Sequence, residues 1–169
     1  KAYTLRKNTT PENSFVEAFI SRRSTREFNS SKIGTDVLGD ILYYSAGLVR
    51  IDKEKDIKTT SRRSYPSAGA RYPLEVYAVI INGEGVRDGL YYYNVKDNVL
   101  EWLRDLIVEK WIDETIKEDW VKKSSVLFIL TSVLERTTTK YKDRGYRYSL
   151  IEAGHLAQCI DQTVVAELQ

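Results

Sequence analysis

Two mainly apolar stretches, Leu74 to Ile81 and Ser124 to Leu134, limit the folds open to this chain. Both are too short to cross a bilayer as helices, and neither shows the three-to-four spacing of a surface helix. They are rich in β-branched and aromatic residues and read as buried strands. Between them, Asn82-Gly83-Glu84-Gly85 reads as a turn. Leu90 to Tyr93 and Val99 to Leu103, joined by Asn94-Val95-Lys96-Asp97-Asn98, read as a hairpin.

Helical periodicity supplies the covering layers. Thr10 offers an N-cap and Pro11 a first helical residue, followed by Phe15, Val16, Phe19 and Ile20 on one face. A second helix is expected from Thr35 as N-cap to Ala46, with Val37, Leu38, Ile41 and Leu42 inward and Gly47 as the stop. Val108, Trp111, Ile112, Ile116 and Trp120 predict a third of about four turns. A long helix from about Tyr146 to Leu168 closes the chain, with Ala153, Gly154 and Ala157 as a patch that another helix or a ligand could approach. Residues 1–9 read as a polar arm, residues 50–64 as a surface connection, and Glu135 to Arg144 as a polar loop. Helices together with hairpin and non-local strands predict an α+β or mixed α/β structure with one sheet, in a single domain spanning residues 1–169.

Charge narrows the partners. Lys and Arg number 26 against 24 Asp and Glu, a net charge of +2, so no global basic field for nucleic acid is expected. The single cysteine, Cys159, rules out an internal disulfide and a Cys-based zinc cluster, which suits a reducing cytoplasm. No signal peptide or membrane span is visible. The chain has no methionine and opens on Lys1, which suits a piece of a longer protein.

Three segments carry candidate chemistry. Pro66, Ser67, Ala68 and Gly69 precede the first buried strand, and small residues there let a backbone with free N–H groups approach a flat or anionic ligand. A turn entering a strand would use the same residues for steric reasons alone. Arg22, Arg23, Ser24 and Arg26 could grip a phosphate, since the guanidinium fork matches its oxygens two at a time; a solvated basic turn would look alike. Lys140 and Tyr141 follow the second buried strand. A lysine beside a tyrosine can relay a proton, because the ammonium favours the ionised phenol, although an exposed basic loop has the same composition. His155 reads as a helix-packing residue with one hydrogen bond, Cys159 as a small core residue, and Glu152 as a surface group or a partner for arginine.

Taken in order, Ser21-Arg22-Arg23-Ser24-Thr25-Arg26-Glu27-Phe28, Pro66 to Tyr77, and Lys140-Tyr141 through Arg144-Gly145-Tyr146-Arg147-Tyr148 to Glu152-Ala153-Gly154-His155 resemble the nitroreductase-like flavoproteins. Within them the order is most similar to the SagB-type, thiazole/oxazole-forming dehydrogenase branch, over about residues 14 to 160. The resemblance implies an α+β fold in which a central mixed, mostly antiparallel sheet is flanked by helices. It also implies an obligate homodimer with FMN at the interface. Arg22, Arg23, Ser24 and Arg26 would hold the phosphate and ribityl chain, Pro66, Ser67, Ala68 and Gly69 would lie along the isoalloxazine, and Lys140 and Tyr141 would be catalytic. Both cofactor-binding segments should therefore converge on one planar, anionic guest. The implied activity is oxidation of azoline rings in a modified peptide, with a general NAD(P)H-linked nitro or quinone reductase, or a non-catalytic scaffold, as alternatives. Members of the family continue past this long helix into a further strand and tail; the sequence here ends at Gln169, as expected of either a truncated piece or a form without that segment, and Tyr72 stands where histidine is frequent.

Overall fold

Apolar strands need cover on both faces, and the sheet of this protein is arranged to give its most apolar strands that cover. The computed structural model describes residues 2–4, 15–50 and 62–168. Its main sheet contains β1 (Ala2–Thr4), β5 (Leu74–Ile80), β7 (Gly89–Asn94), β8 (Val99–Arg104) and β9 (Val126–Ser132). The order is β1-β8-β7-β5-β9 and every pairing is antiparallel. The two apolar runs are neighbours, in register from Leu74 opposite Ser132 to Ile80 opposite Val126. Strand β5 is buried along its length except at Tyr77. Two minor pairs complete the strands: β2 (Ile33–Gly34) runs parallel to β6 (Gly83–Glu84), and β3 (Leu48–Arg50) antiparallel to β4 (Arg62–Arg63).

The helices are α1 (Phe15–Ser21), α2 (Thr35–Ala46), α3 (Val108–Thr115), α4 (Glu135–Tyr141) and α5 (Arg144–Leu168). Leu38, Ile41 and Leu42 of α2 and Leu156 of α5 share one buried cluster with Val76 and Tyr91 of the sheet. The expected α+β arrangement is therefore present, and the hairpin and both buried strands fall where the alternation places them. No helix among the described residues is long and apolar enough to cross a membrane.

Several local expectations are corrected. The amino-terminal arm is not free: residues 2–4 pair with the edge of β8. Thr35 is the first helical residue, and Gly34 occupies the cap position without a side-chain bond. Gly83 and Glu84 extend into a short strand instead of only turning. Helix α3 stops at Thr115, short of Trp120, because Lys117 takes a left-handed φ of 60°, its N–H and that of Ile116 both donating to the Ile112 carbonyl. Phe19 and Ile20 are exposed, and Ala18 of α1 is buried. Glu135 to Tyr141 is a helix and not a loop. Its Thr138 and Thr139 hydroxyls donate back to the Leu134 and Glu135 carbonyls, so polar side chains are absorbed by their own turn and mask the element. Thr10, Pro11 and residues 51–61 lie outside the described residues.

Burial of tyrosine gives the fold an alkaline limit. Burial pushes Tyr65 and Tyr92 up to about 12, and Tyr91 and Tyr93 further upward. The unfolded chain loses these protons first, from about pH 10, so stability is intact below that value and falls as pH rises through the folded range. A fully buried phenol such as Tyr65 removes about 1.4 kcal/mol per pH unit between its two values. We expect Tyr65, Tyr91, Tyr92 and Tyr93 to ionise above pH 10 in an ultraviolet titration, together with loss of helical circular dichroism. A single reversible phase near pH 10 with the fold intact would contradict this.

Candidate active site

The loop before β5 is built under backbone constraint. Ala68–Ala70 forms a single 3-10 turn, and Gly69, Ala70 and Tyr72 take left-handed φ values of 61°, 53° and 44°. Such conformations persist only where the surroundings over-determine them. Ser67 does so here. Its carbonyl accepts the Ala70 N–H at 3.1 Å, and its Oγ accepts the Tyr72 N–H at 2.8 Å and donates to Glu152 Oε2 at 2.6 Å. Beside the loop opens a cleft of about 680 Å³ lined by Arg62, Arg63, Ser64, Pro66, Gly69 and Tyr72, among others.

Helix α4 reaches this loop from the far end of β9. The Val133 N–H donates to the Pro73 carbonyl at 2.8 Å, and Arg136 donates to the Tyr72 carbonyl at 3.0 Å. Arg136 also pairs with the buried Glu75 at 2.5 Å, whose second oxygen accepts the Tyr92 hydroxyl at 2.8 Å. The first turn of α4 is thus tied to the start of β5. One turn later come Lys140 and Tyr141, and both end at the loop: a Cβ built on Gly69 would lie 2.6 Å from Tyr141 Oη and 3.1 Å from Lys140 Nζ. Lys140 Nζ sits 5.2 Å from the centre of the Tyr141 ring, within cation–π range. Tyr148 meets that ring edge-on at 5.0 Å. The α4–α5 corner that permits this is tight, since a Cβ on Gly145 would stand 2.8 Å from the Thr138 backbone. Gly69 and Lys140, 71 positions apart in sequence, are therefore neighbours.

The arginine segment lies elsewhere in the single chain. Arg23, Ser24 and Arg26 are exposed beyond α1. Arg23 donates to the Ile20 and Arg22 carbonyls at 2.8 and 2.7 Å, and Arg22 approaches Asp161 at 3.6 Å. Asp161 follows Glu152 by nine residues on α5, about 180° around the helix and about 13 Å along it. Loop and arginines thus meet α5 on opposite faces. Among the described residues no hydrogen bond or ion pair joins them.

Sequence reasoning left the roles of some residues undetermined. Glu152 is 2% exposed, neither a surface group nor in a direct ion pair with arginine. Burial pushes its carboxyl above the ordinary value, while the Ser67 hydrogen bond, the Arg63 charge and the nearby Ala68 N–H pull it back. The signal was present in its phase: Glu152 shares the buried stripe of Ser149 and Leu156, where an apolar residue is expected. Arg63 was hidden in a charged stretch, yet it donates to the Tyr65 hydroxyl and the Leu74 carbonyl and lies over the Tyr72 ring. His155 is exposed on α5, so its expected packing role is corrected. Cys159 is half-buried against the core, as its small apolar character suggests.

These segments, in this order, match the sequence profile of the Nitroreductase family over residues 20–160. The chain belongs to the nitroreductase family. MJ1384 of Methanocaldococcus jannaschii, named for the same family, is 34% identical over 143 residues, covering 84% of this chain and 68% of that protein. The narrower resemblance, to the thiazole/oxazole dehydrogenase branch, is borne out by peptide-processing relatives. The trifolitoxin-processing protein TfxB of Rhizobium leguminosarum bv. trifolii is 26% identical over 75% of this chain and 35% of its own length. The microcin B17-processing protein McbC of Escherichia coli is 31% identical over 57% of this chain and 38% of its own length. This nitroreductase-family chain therefore spans little more than a third of either processing protein. Among solved structures, a nitroreductase-type protein of Ralstonia eutropha superposes with a TM-score of 0.76 at 19% identity, over 98% of this chain and 71% of that one. The Escherichia coli microcin synthetase McbBCD complex, with truncated pro-MccB17 bound, superposes with a TM-score of 0.65 at 21% identity, over 94% and 60%. At such identities these two show the fold alone, and that fold is the one the resemblance implied.

Proposed function

We propose that this nitroreductase-family oxidoreductase is an FMN-dependent dehydrogenase of the SagB type, which oxidises azoline rings in a modified peptide. One observation carries the proposal: Lys140 and Tyr141, a pair able to handle a proton, end together on the backbone of Gly69, a residue that also lines the cleft. The peptide-processing names of TfxB and McbC favour a modified peptide as substrate. The McbBCD assembly favours companion proteins that present it.

The residues present suit the cofactor. Arg23 and Arg26 are exposed, Arg23 spends Nη1 on the Ile20 and Arg22 carbonyls, and among the described residues Arg22 meets Asp161 at 3.6 Å, so guanidinium donors remain to take a phosphate. Ala68 and Gly69 leave backbone open to a planar ring, and about 680 Å³ is within the range of cofactor clefts. Pro66, Ser67, Ala68 and Gly69 would hold the isoalloxazine, and Arg22, Arg23, Ser24 and Arg26 the phosphate and ribityl chain. Because these groups sit on opposite faces of α5 in one chain, each site would draw on both copies of a homodimer. When bound, FMN supplies the hydride acceptor, and oxygen restores its oxidised form. Tyr141 Oη takes the proton that leaves the azoline as the hydride departs. Lys140 Nζ, 5.2 Å from the centre of that ring, would pass the proton between Tyr141 and solvent. The lone free Cys159 suits a cytoplasmic setting.

A second activity, NAD(P)H-linked nitro or quinone reduction, is favoured by the family name of MJ1384. The visible spectrum of the purified protein and the mass of the released chromophore test the common premise, with FMN expected. Oxidation of an azoline peptide in air without nicotinamide then supports the dehydrogenase, whereas flavin reduction only by NAD(P)H supports the reductase. A colourless protein that takes up no added FMN would sink both.

A further inference from the structure

The Ser67–Glu152 contact has no part in the chemistry proposed above, yet it ties the loop to α5 at one buried point. Glu152 keeps one oxygen, Oε1, buried without a hydrogen-bond partner, while Oε2 accepts the Ser67 hydroxyl and the Ala68 N–H also acts on the carboxyl. A buried carboxyl this sparsely bonded costs stability, and an apolar side chain in the same helical stripe would cost less. Its bond to Ser67, however, fixes the group that organises the turn. With the Ser67 proton directed to Glu152, the Ser67 Oγ lone pairs face the Tyr72 N–H, and the Ser67 carbonyl takes the Ala70 N–H. Those two bonds define a turn with left-handed Gly69, Ala70 and Tyr72, and on Gly69 rest Tyr141 Oη and Lys140 Nζ.

We infer that Glu152 is a positioning residue: through Ser67 it sets the backbone of residues 68–72, the floor on which the Lys140–Tyr141 pair is seated. Its importance for catalysis rests on the dehydrogenase proposed above, but its effect on the loop does not.

Amide hydrogen exchange of the purified protein, read residue by residue, tests the inference without any cofactor. Glu152→Leu should speed exchange at residues 68–72 by about tenfold or more, the equivalent of losing one charge-assisted hydrogen bond. The amides of β5 should stay as protected as in the parent. Glu152→Gln keeps a carbonyl acceptor for Ser67 and should hold the loop within about threefold of the parent. Ser67→Ala, which leaves α5 intact, should loosen residues 68–70 like Glu152→Leu and decides the matter if that variant does not fold. Unchanged loop exchange in the folded variants overturns the inference. So does an equal rise throughout β5, which would mark Glu152 as a support of the whole fold. A parent protein that binds no FMN defeats the proposed function and leaves the exchange result to be read as it stands.

Discussion

Replacing Lys140 by alanine and Tyr141 by phenylalanine should lower turnover by about two to four powers of ten, the usual worth of a positioned acid–base group. Flavin content should stay unchanged. The expectation follows from where the two side chains end. Neither helps to form the loop: its bonds run from Ser67 to Tyr72, Ala70 and Glu152. Tyr141→Phe removes one oxygen and keeps the ring against Tyr148, so packing is preserved while the atom proposed to carry the proton is lost. Lys140 is exposed, and its truncation leaves no cavity. Turnover and bound flavin measured on the same preparation check the result. A wild-type rate with full flavin would remove the pair from the mechanism.

Gly69→Ala should cost far more activity than stability. Two effects act on this position. The φ of 61° is left-handed and costs an L side chain about 1–2 kcal/mol. The new Cβ would also fall 2.6 Å from Tyr141 Oη and 3.1 Å from Lys140 Nζ. Both are ends of side chains that can swing away, so the fold survives and the proton-handling atoms are displaced. A displacement of about 1 Å in a reacting group is worth roughly a hundredfold in rate. Gly85→Ala is the matched control. Its φ of 71° carries the same backbone strain, but no atom lies within 4 Å of the added carbon. Thermal unfolding should therefore respond to both substitutions alike, and turnover to Gly69→Ala alone. An equal loss of turnover in the two variants would show strain and not displacement to be the cause.

Legibility in the sequence followed the range of the forces involved. The runs Leu74–Ile81 and Ser124–Leu134 announced buried strands because burial on both faces is written directly in composition, and they pair as β5 and β9. Helix α2 was readable from Val37, Leu38, Ile41 and Leu42, since one apolar face suffices to define it. Helix α4 was not, because its threonines bond their own turn and mimic a polar loop. Nor was the early stop of α3, which depends on the left-handed Lys117.

Local pattern alone determined the α+β class, the strands of the central sheet, and the residue types at the loop, the arginine corner and the lysine–tyrosine pair. Tertiary structure alone decided which of these are neighbours. Gly69 and Tyr141 touch because Arg136 ties α4 to Glu75 and Tyr72, and because Gly145 lets α5 pass against Thr138. Arg22 and Ser67 are kept apart because the residues they meet on α5, Asp161 and Glu152, fall on opposite sides of one helix. Propensity and periodicity act over a few residues, whereas these contacts depend on how rigid elements pack across the whole chain.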